Sequence, residues 1–204
     1  MASAPLDFYY DFSSPYSYLA AARIAALAEG ADVRIAWKPF LLGPIFAAKG
    51  HATSPLVSDP DKNVHMWADV TRLAELYHLP PLRRPDPFPV NSLLAARVAL
   101  HLNDACRPAF TRAVYRAEFA EGRDIADRET IYHLLAGLGH FFEEVIDEAE
   151  RQENKDRLRA QTEAARAEGV FGAPTFIAAD GALFWGNDRL EMALDHARRL
   201  ARAA

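Results

Sequence analysis

Residues 6–17 read Leu-Asp-Phe-Tyr-Tyr-Asp-Phe-Ser-Ser-Pro-Tyr-Ser, and they commit the start of the chain to a strand that stops on a serine and passes straight into a helix. Leu6, Phe8, Tyr10 and Phe12 recur at period two, so a strand over 6–12 has one apolar face. Ser14 then stands at the N-cap, with Pro15 at the first helical position, where a missing N–H leaves no helical bond unmade. The helix runs from Pro15 to Glu29 and ends at Gly30. A second strand, Val33–Phe40, turns Val33, Ile35 and Trp37 to one side. The opening is therefore a β-α-β unit.

The segment 41–61, rich in Gly and Pro, reads as a long loop with a short helix near Phe46, of a length that commonly carries function. From Asn63 to Glu168 only helical patterns recur: Met66, Val70, Leu73 and Tyr77; then Leu94, Val98 and Leu102 behind an Asn91 cap; then Ile131, Leu134, Leu135 and Leu138 behind Asp127. Five prolines between Leu79 and Val90 forbid a helix there. A last helix in this block, 154–168, ends at Gly169. Two short strands follow, 175–179 and 182–185, about the hairpin signal Asp180-Gly181, and Asn187 or Asp188 caps a terminal helix. The order β-α-β, helical block, β-β-α predicts an α/β protein: a thioredoxin-like fold with a large all-helical insertion between its halves. The expected division is 1–62 with 169–204 for the thioredoxin-like domain, and 63–168 for the inserted helices.

The 204 residues, half of them apolar, suffice for a full core. A net charge of −5 without a basic stripe argues against nucleic acid as a partner. No apolar run approaches the roughly 18 residues of a membrane span, and residues 1–7 lack the basic and apolar regions of a signal peptide, so a cytoplasmic protein is expected. The single cysteine, Cys106, excludes an internal disulfide framework and reads as a buried, inert thiol. Seven histidines without ligand spacing give no reason to expect a metal.

Ser14 and Ser17 keep the spacing of a Cys-x-x-Cys motif with both sulfurs replaced by oxygens. Such a turn cannot cycle a disulfide. Ser14 either caps the helix and nothing more, or also holds the sulfur of a bound thiol, whose charge the helix N-terminus would favour.

Three segments together make the chain resemble the 2-hydroxychromene-2-carboxylate isomerases and kappa-class glutathione transferases of the disulfide-bond-oxidoreductase superfamily. They are Asp7–Tyr18; Pro39–Phe46 with Lys62 downstream; and Gly169-Val-Phe-Gly-Ala-Pro-Thr175 with Phe184-Trp-Gly-Asn-Asp-Arg-Leu190. The resemblance implies glutathione as cofactor, Ser14 as the residue touching its sulfur, and a homodimer. It also implies that Pro174 is cis, exposing the backbone N–H and C=O of Ala173 to pair with the glutathione spine; on its own, Pro174 would read as a trans proline opening an edge strand. The turn Trp185-Gly186-Asn187-Asp188 would hold the γ-glutamyl end, with Asp188 facing the ammonium or simply capping a helix. Lys62 would meet the glycyl carboxylate, or else be a solvated surface lysine.

Where related chains often carry asparagine this chain has His51, a proton shuttle or a bystander. The small aromatic substrate is expected against Tyr16 and Phe46, with His51 nearby. Phe8, Phe12 and Trp67 are alternatives that read as core. The implied activity is isomerisation of an aromatic pyruvate or chromene by reversible thiolate addition. A transferase that conjugates or reduces electrophiles, and a thiol-binding module without turnover, are the competing readings.

Overall fold

The computed structural model describes residues 4–139 and 143–203. Strand β1 covers Ala4–Tyr10 and helix α1 Pro15–Ala31. The strand ends at Tyr10 and not at Phe12 because Asp11 turns the chain. Its carboxylate accepts the Ser13 amide and hydroxyl, each at 2.9 Å, and its carbonyl accepts the Ser14 amide at 3.0 Å. Phe12 is nonetheless fully buried with Leu6, Phe8 and Tyr10, as the alternation requires. At its far end α1 runs past Gly30, and the left-handed residue that stops it is Asp32, at φ 54°.

Strand β2, Val33–Pro39, lies parallel to β1 and sets Trp37 opposite Phe8. On the other side of β1 runs antiparallel β3, Thr175–Ala178, with Phe176 opposite Phe8; β4, Leu183–Trp185, closes the sheet in the order β2-β1-β3-β4. The cross-strand rings meet: Phe8 lies 5.1 Å from Trp37 and 5.4 Å from Phe176, centroid to centroid. Burial of each such ring contributes about 2–3 kcal/mol, so this row fixes the register.

Between β2 and β3 the chain is helical: α2 (Leu42–Ala48), α3 (Pro55–Ser58), α4 (Pro60–Leu76), α5 (Leu93–His101), α6 (Arg107–Phe119), α7 (Arg128–Gly137), α8 (Glu143–Ala149) and α9 (Gln152–Ala167). The short helix expected near Phe46 is α2, but the rest of the expected loop over 41–61 also holds α3 and the start of α4. Its prolines open helices: Pro55 follows Ser54, whose hydroxyl accepts the Leu56 amide at 3.2 Å, and Pro60 follows Asp59, whose carboxylate accepts the amides of Asp61 and Lys62. Helix α4 consequently begins just before the domain boundary expected at residue 63. The proline-rich 79–90 segment is free of helix, and the Arg83 amide ties it to the Phe119 carbonyl at 2.7 Å. Asn91 does supply the side-chain bond for α5, to the Leu93 amide, although Ser92 occupies the cap position.

Helix α10, Leu190–Ala203, packs with α1 on the Leu6–Phe8–Tyr10 face of the sheet, in one core that continues into α4, α5 and α6. The opposite face carries Tyr9 and Ile177 against α2 and α9, through Leu42, Ile45 and Ala165. There the Tyr9 hydroxyl donates to Glu168 at 2.9 Å and accepts from Lys38 at 3.2 Å, and burial leads the effects that push its pKa up to about 12. Cys106 is half-exposed and not buried, because it stands at the cap position of α6.

Candidate thiol-binding site

The carboxyl end of β1, the first turn of α1 and the start of β3 meet at Ser14. Its Oγ accepts the Ser17 amide at 3.2 Å, which makes it a true helix cap, and donates to the carbonyl of Ala173 at 3.0 Å. The residue is only 6% exposed. The Ala173–Pro174 peptide bond is cis. Of the amides around the turn, those of Ser13, Ser14, Ser17 and Tyr18 are engaged and Pro15 has none, so the Tyr16 amide is the open donor. The Ala173 carbonyl, which the resemblance assigns to the glutathione spine, thus already accepts from Ser14. The carbonyl retains a second lone pair, and the Ser14 hydroxyl can rotate toward a better acceptor.

Strand β4 brings the Trp185–Asp188 turn alongside. The Gly186 amide donates to the Pro174 carbonyl at 2.9 Å, and Gly186 sits at φ 111°, ψ 148°, a region open only to glycine. The Asp188 carboxylate folds back over it, within 2.5 Å of where a Cβ would stand. Asn187 and Asp188 do not cap the terminal helix as expected; they form a 3-10 turn leading into α10. Asn187 is 2% exposed, and its side chain is consumed within the protein: Oδ1 accepts from Arg23 at 3.2 Å and Nδ2 donates to the Tyr77 hydroxyl at 3.2 Å. Arg23 also lies 3.7 Å from the Tyr77 ring centre and pairs with Glu191. Any ligand contact from Asn187 is therefore through its backbone. Asp188 is exposed, its nearest ion pair being Arg189 at 3.6 Å.

Tyr16 is half-buried, its hydroxyl donating to Asp69 on α4 at 2.9 Å. Burial first, then this hydrogen bond and the charges of Asp69 and Asp188, hold the phenol well above its usual pKa, so it stays protonated. Phe46 and Ala173 each pack against the second core. Trp185 lies across Gly172 and against Phe171, which pairs with Lys49. Ser14, Tyr16, Ala173, Pro174, Trp185, Gly186, Asn187 and Asp188 thus form one connected neighbourhood, and Phe46 reaches it only through the second core that it shares with Ala173. His51 and Lys62 keep to their own segments: the His51 amide bonds the Phe46 carbonyl, and the exposed Lys62 pairs with Asp59 at 3.1 Å. Phe8 and Phe12 are sealed in the core, and Trp67 is buried against Phe88, so none of the three lines this surface.

Asp11, Arg23, Asp69, Tyr77, Phe171 and Gly172 were not predicted as site residues. Asp11 fixes the turn: besides the Ser13 bonds, its carboxylate accepts the Leu42 amide at 2.6 Å, and its carbonyl accepts the Tyr115 hydroxyl at 2.9 Å. Asp11, inside the Asp7–Tyr18 segment, and Phe171 and Gly172, inside the Gly169–Thr175 segment, carried a sequence signal; Arg23, Asp69 and Tyr77 act across long chain separations.

A Cys-x-x-Cys-spaced turn that carries serines at both positions, beside a cis proline on a four-stranded mixed sheet, defines a thioredoxin-like protein with no sulfur of its own at that turn. Residues 5–198 match the DSBA-like thioredoxin domain model. The chain is 32% identical to a 2-hydroxychromene-2-carboxylate isomerase of Pseudomonas putida, over 97% of this chain and 96% of that one. It is 24% identical to glutathione S-transferase kappa 1 of Rattus norvegicus, over 94% and 91%. A solved structure of a 2-hydroxychromene-2-carboxylate isomerase superimposes with a TM-score of 0.88 at 29% identity, covering 98% of this chain and 97% of that one. The chain belongs to the 2-hydroxychromene-2-carboxylate isomerase and kappa-class glutathione transferase family of DsbA-like thioredoxin proteins. Among the described residues no helix is long and apolar enough to cross a membrane.

Proposed function

We propose that this protein is a glutathione-dependent isomerase acting on 2-hydroxychromene-2-carboxylate or a related aromatic pyruvate. The observation that carries the reading is the Ser14 hydroxyl, nearly buried at the start of α1 and donating at 3.0 Å to Ala173, beside the cis bond to Pro174. The donor set fits glutathione. Ser14 and the Tyr16 amide suit a thiolate, the Ala173 backbone suits a peptide-like spine, and the exposed Asp188 carboxylate suits the γ-glutamyl ammonium. The free lone pair of the Ala173 carbonyl is the acceptor this requires.

When bound, glutathione would supply a thiol that adds to a conjugated carbon, lets the ring open and the former double bond rotate, and leaves unchanged. Ser14 would hydrogen-bond the charged sulfur and not itself attack, since among the described residues no histidine or carboxylate hydrogen-bonds its hydroxyl. The α1 N-terminus adds a favourable dipole. Tyr16 bears on the reaction through its ring, because its hydroxyl is committed to Asp69. Phe46 shares the second core with Ala173 and would border the substrate, with His51 nearby, and Lys62 would meet the glycyl carboxylate. The reading includes a homodimer in the cytoplasm and the two-part division at 1–62 with 169–204 and 63–168; light scattering and limited proteolysis test these.

Incubation with glutathione and 2-hydroxychromene-2-carboxylate tests the reaction. Isomer with the thiol unchanged supports the proposal, and a stable thioether transfers the protein to the conjugating reading, which the similarity to the rat kappa transferase favours. Glutathione binding without either product leaves only a thiol-binding module.

A further inference from the structure

Phe171 and Trp185 face each other with ring centroids 4.8 Å apart, yet 39% and 51% of their surfaces stay open. Rings of this size are normally drawn inward, and a contiguous exposed apolar patch marks a binding surface. Local sterics set the pair in place. A Cβ at Gly172 would stand 2.4 Å from the Trp185 indole nitrogen, so only glycine lets the indole lie across the backbone here. The next residue, Ala173, takes the Ser14 hydroxyl bond, so the two rings adjoin the turn proposed to hold the sulfur.

A charge completes the surface. Lys49, at the end of α2, sets its ammonium 5.2 Å from the Phe171 ring centre and has no carboxylate partner among the described residues. Exposed cations of this protein are commonly paired, as Arg128 is with Asp147 and Glu150. Two open rings with an uncommitted cation at their rim complement a flat aromatic acid, its ring on the shelf and its carboxylate toward the ammonium.

The geometry points to Phe171, Trp185 and Lys49 as a subsite for aromatic carboxylates, delivering the ring of such a ligand beside Ser14. Its catalytic meaning rests on the isomerase reading, whereas the binding itself does not. The indole of Trp185 belongs to this shelf, and its backbone belongs to the turn that carries Asp188. Lys49 selects for the acid and Phe171 for the ring.

Calorimetry on the full-length protein separates these roles, with 2-naphthoate, the uncharged 2-naphthamide and glutathione each titrated as probes. Lys49→Met is expected to weaken 2-naphthoate by about threefold while leaving 2-naphthamide and glutathione unchanged. Phe171→Ala is expected to weaken both aromatic probes by about fivefold. Both side chains are exposed, so neither change threatens the fold. The proposal is overturned if the wild-type protein does not bind 2-naphthoate, if the variants bind it as the wild type does, or if Lys49→Met weakens glutathione instead. Binding of 2-naphthoate without binding of glutathione upholds the subsite and removes the isomerase reading.

Discussion

Replacing Ser14 by alanine tests how the chain handles a charge it does not own. In the free protein the Ser14 proton already goes to the Ala173 carbonyl, a neutral hydrogen bond, so only the difference between that bond and a charge-assisted one is available to a thiolate. Neutral bonds contribute about 1 kcal/mol and bonds to charged groups about 2 kcal/mol, which leaves about 1 kcal/mol. At 1.36 kcal/mol per pH unit, that lowers the pKa of the bound thiol by somewhat under one unit from its free value near 8.5. The hydrogen bond favours the charged form, so Ser14→Ala should raise the pKa by the same amount. Below both pKa values the thiolate fraction, and turnover with it, then falls by about fivefold.

The same substitution also removes the α1 cap and the Ala173 bond, which together cost about 2 kcal/mol of stability. Urea unfolding should register that loss, and kinetics should be taken well below the variant's melting temperature. The deciding assay is the ultraviolet absorbance of the thiolate, followed against pH with glutathione bound to each protein. Superimposable titration curves would refute the reasoning, whatever happens to stability.

Three further outcomes follow from other contacts. Asp188→Asn should weaken glutathione about fivefold by calorimetry, with turnover at saturating thiol preserved, because an exposed charge-assisted contact is screened by water. Tyr77→Phe leaves Nδ2 of the buried Asn187 without its acceptor, and should lower the free energy of urea unfolding by about 1–2 kcal/mol and weaken glutathione binding through the Gly186–Asp188 turn. Glu118 has both carboxyl oxygens buried without a hydrogen-bond partner, and burial, then the charges of Asp11 and Asp124, raise its pKa well above the usual value. Its contribution is full below about pH 4.5, where the unfolded chain is also protonated, and is lost as pH rises toward the folded pKa. Glu118→Gln should accordingly flatten the decline in the urea midpoint on the alkaline side; an unchanged pH profile counts against a protonated Glu118.

Much of the fold could be read locally. The period-two run from Leu6, the Ser14–Pro15 helix start, Asp127 capping α7 and Gly181 in the β3–β4 hairpin all depend on neighbours a few residues away, and each lies where expected. The errors are local competitions as well. Asp11 ended β1 early, Asp32 stopped α1 instead of Gly30, and Pro55 and Pro60 opened helices inside a segment read as loop. At the site, the expected residues around Ser14 and Ala173 lie together, but the availability of their polar groups was not legible. Asn187 looked like a ligand or a cap and is instead locked between Arg23 and Tyr77.

By itself the sequence determined the order of strands and helices and the replacement of a dithiol by two serines, because periodicity, capping and residue chemistry act within a turn or two of the chain. Only the tertiary structure decided that the Ser14 proton rests on Ala173, 159 residues away, that Asn187 is spent on the framework, and that Phe171, Trp185 and Lys49 share one open surface. Those are pairings across long separations, and which partner a hydrogen bond or ring finds is fixed by how the sheet and helices pack, not by the residues beside it.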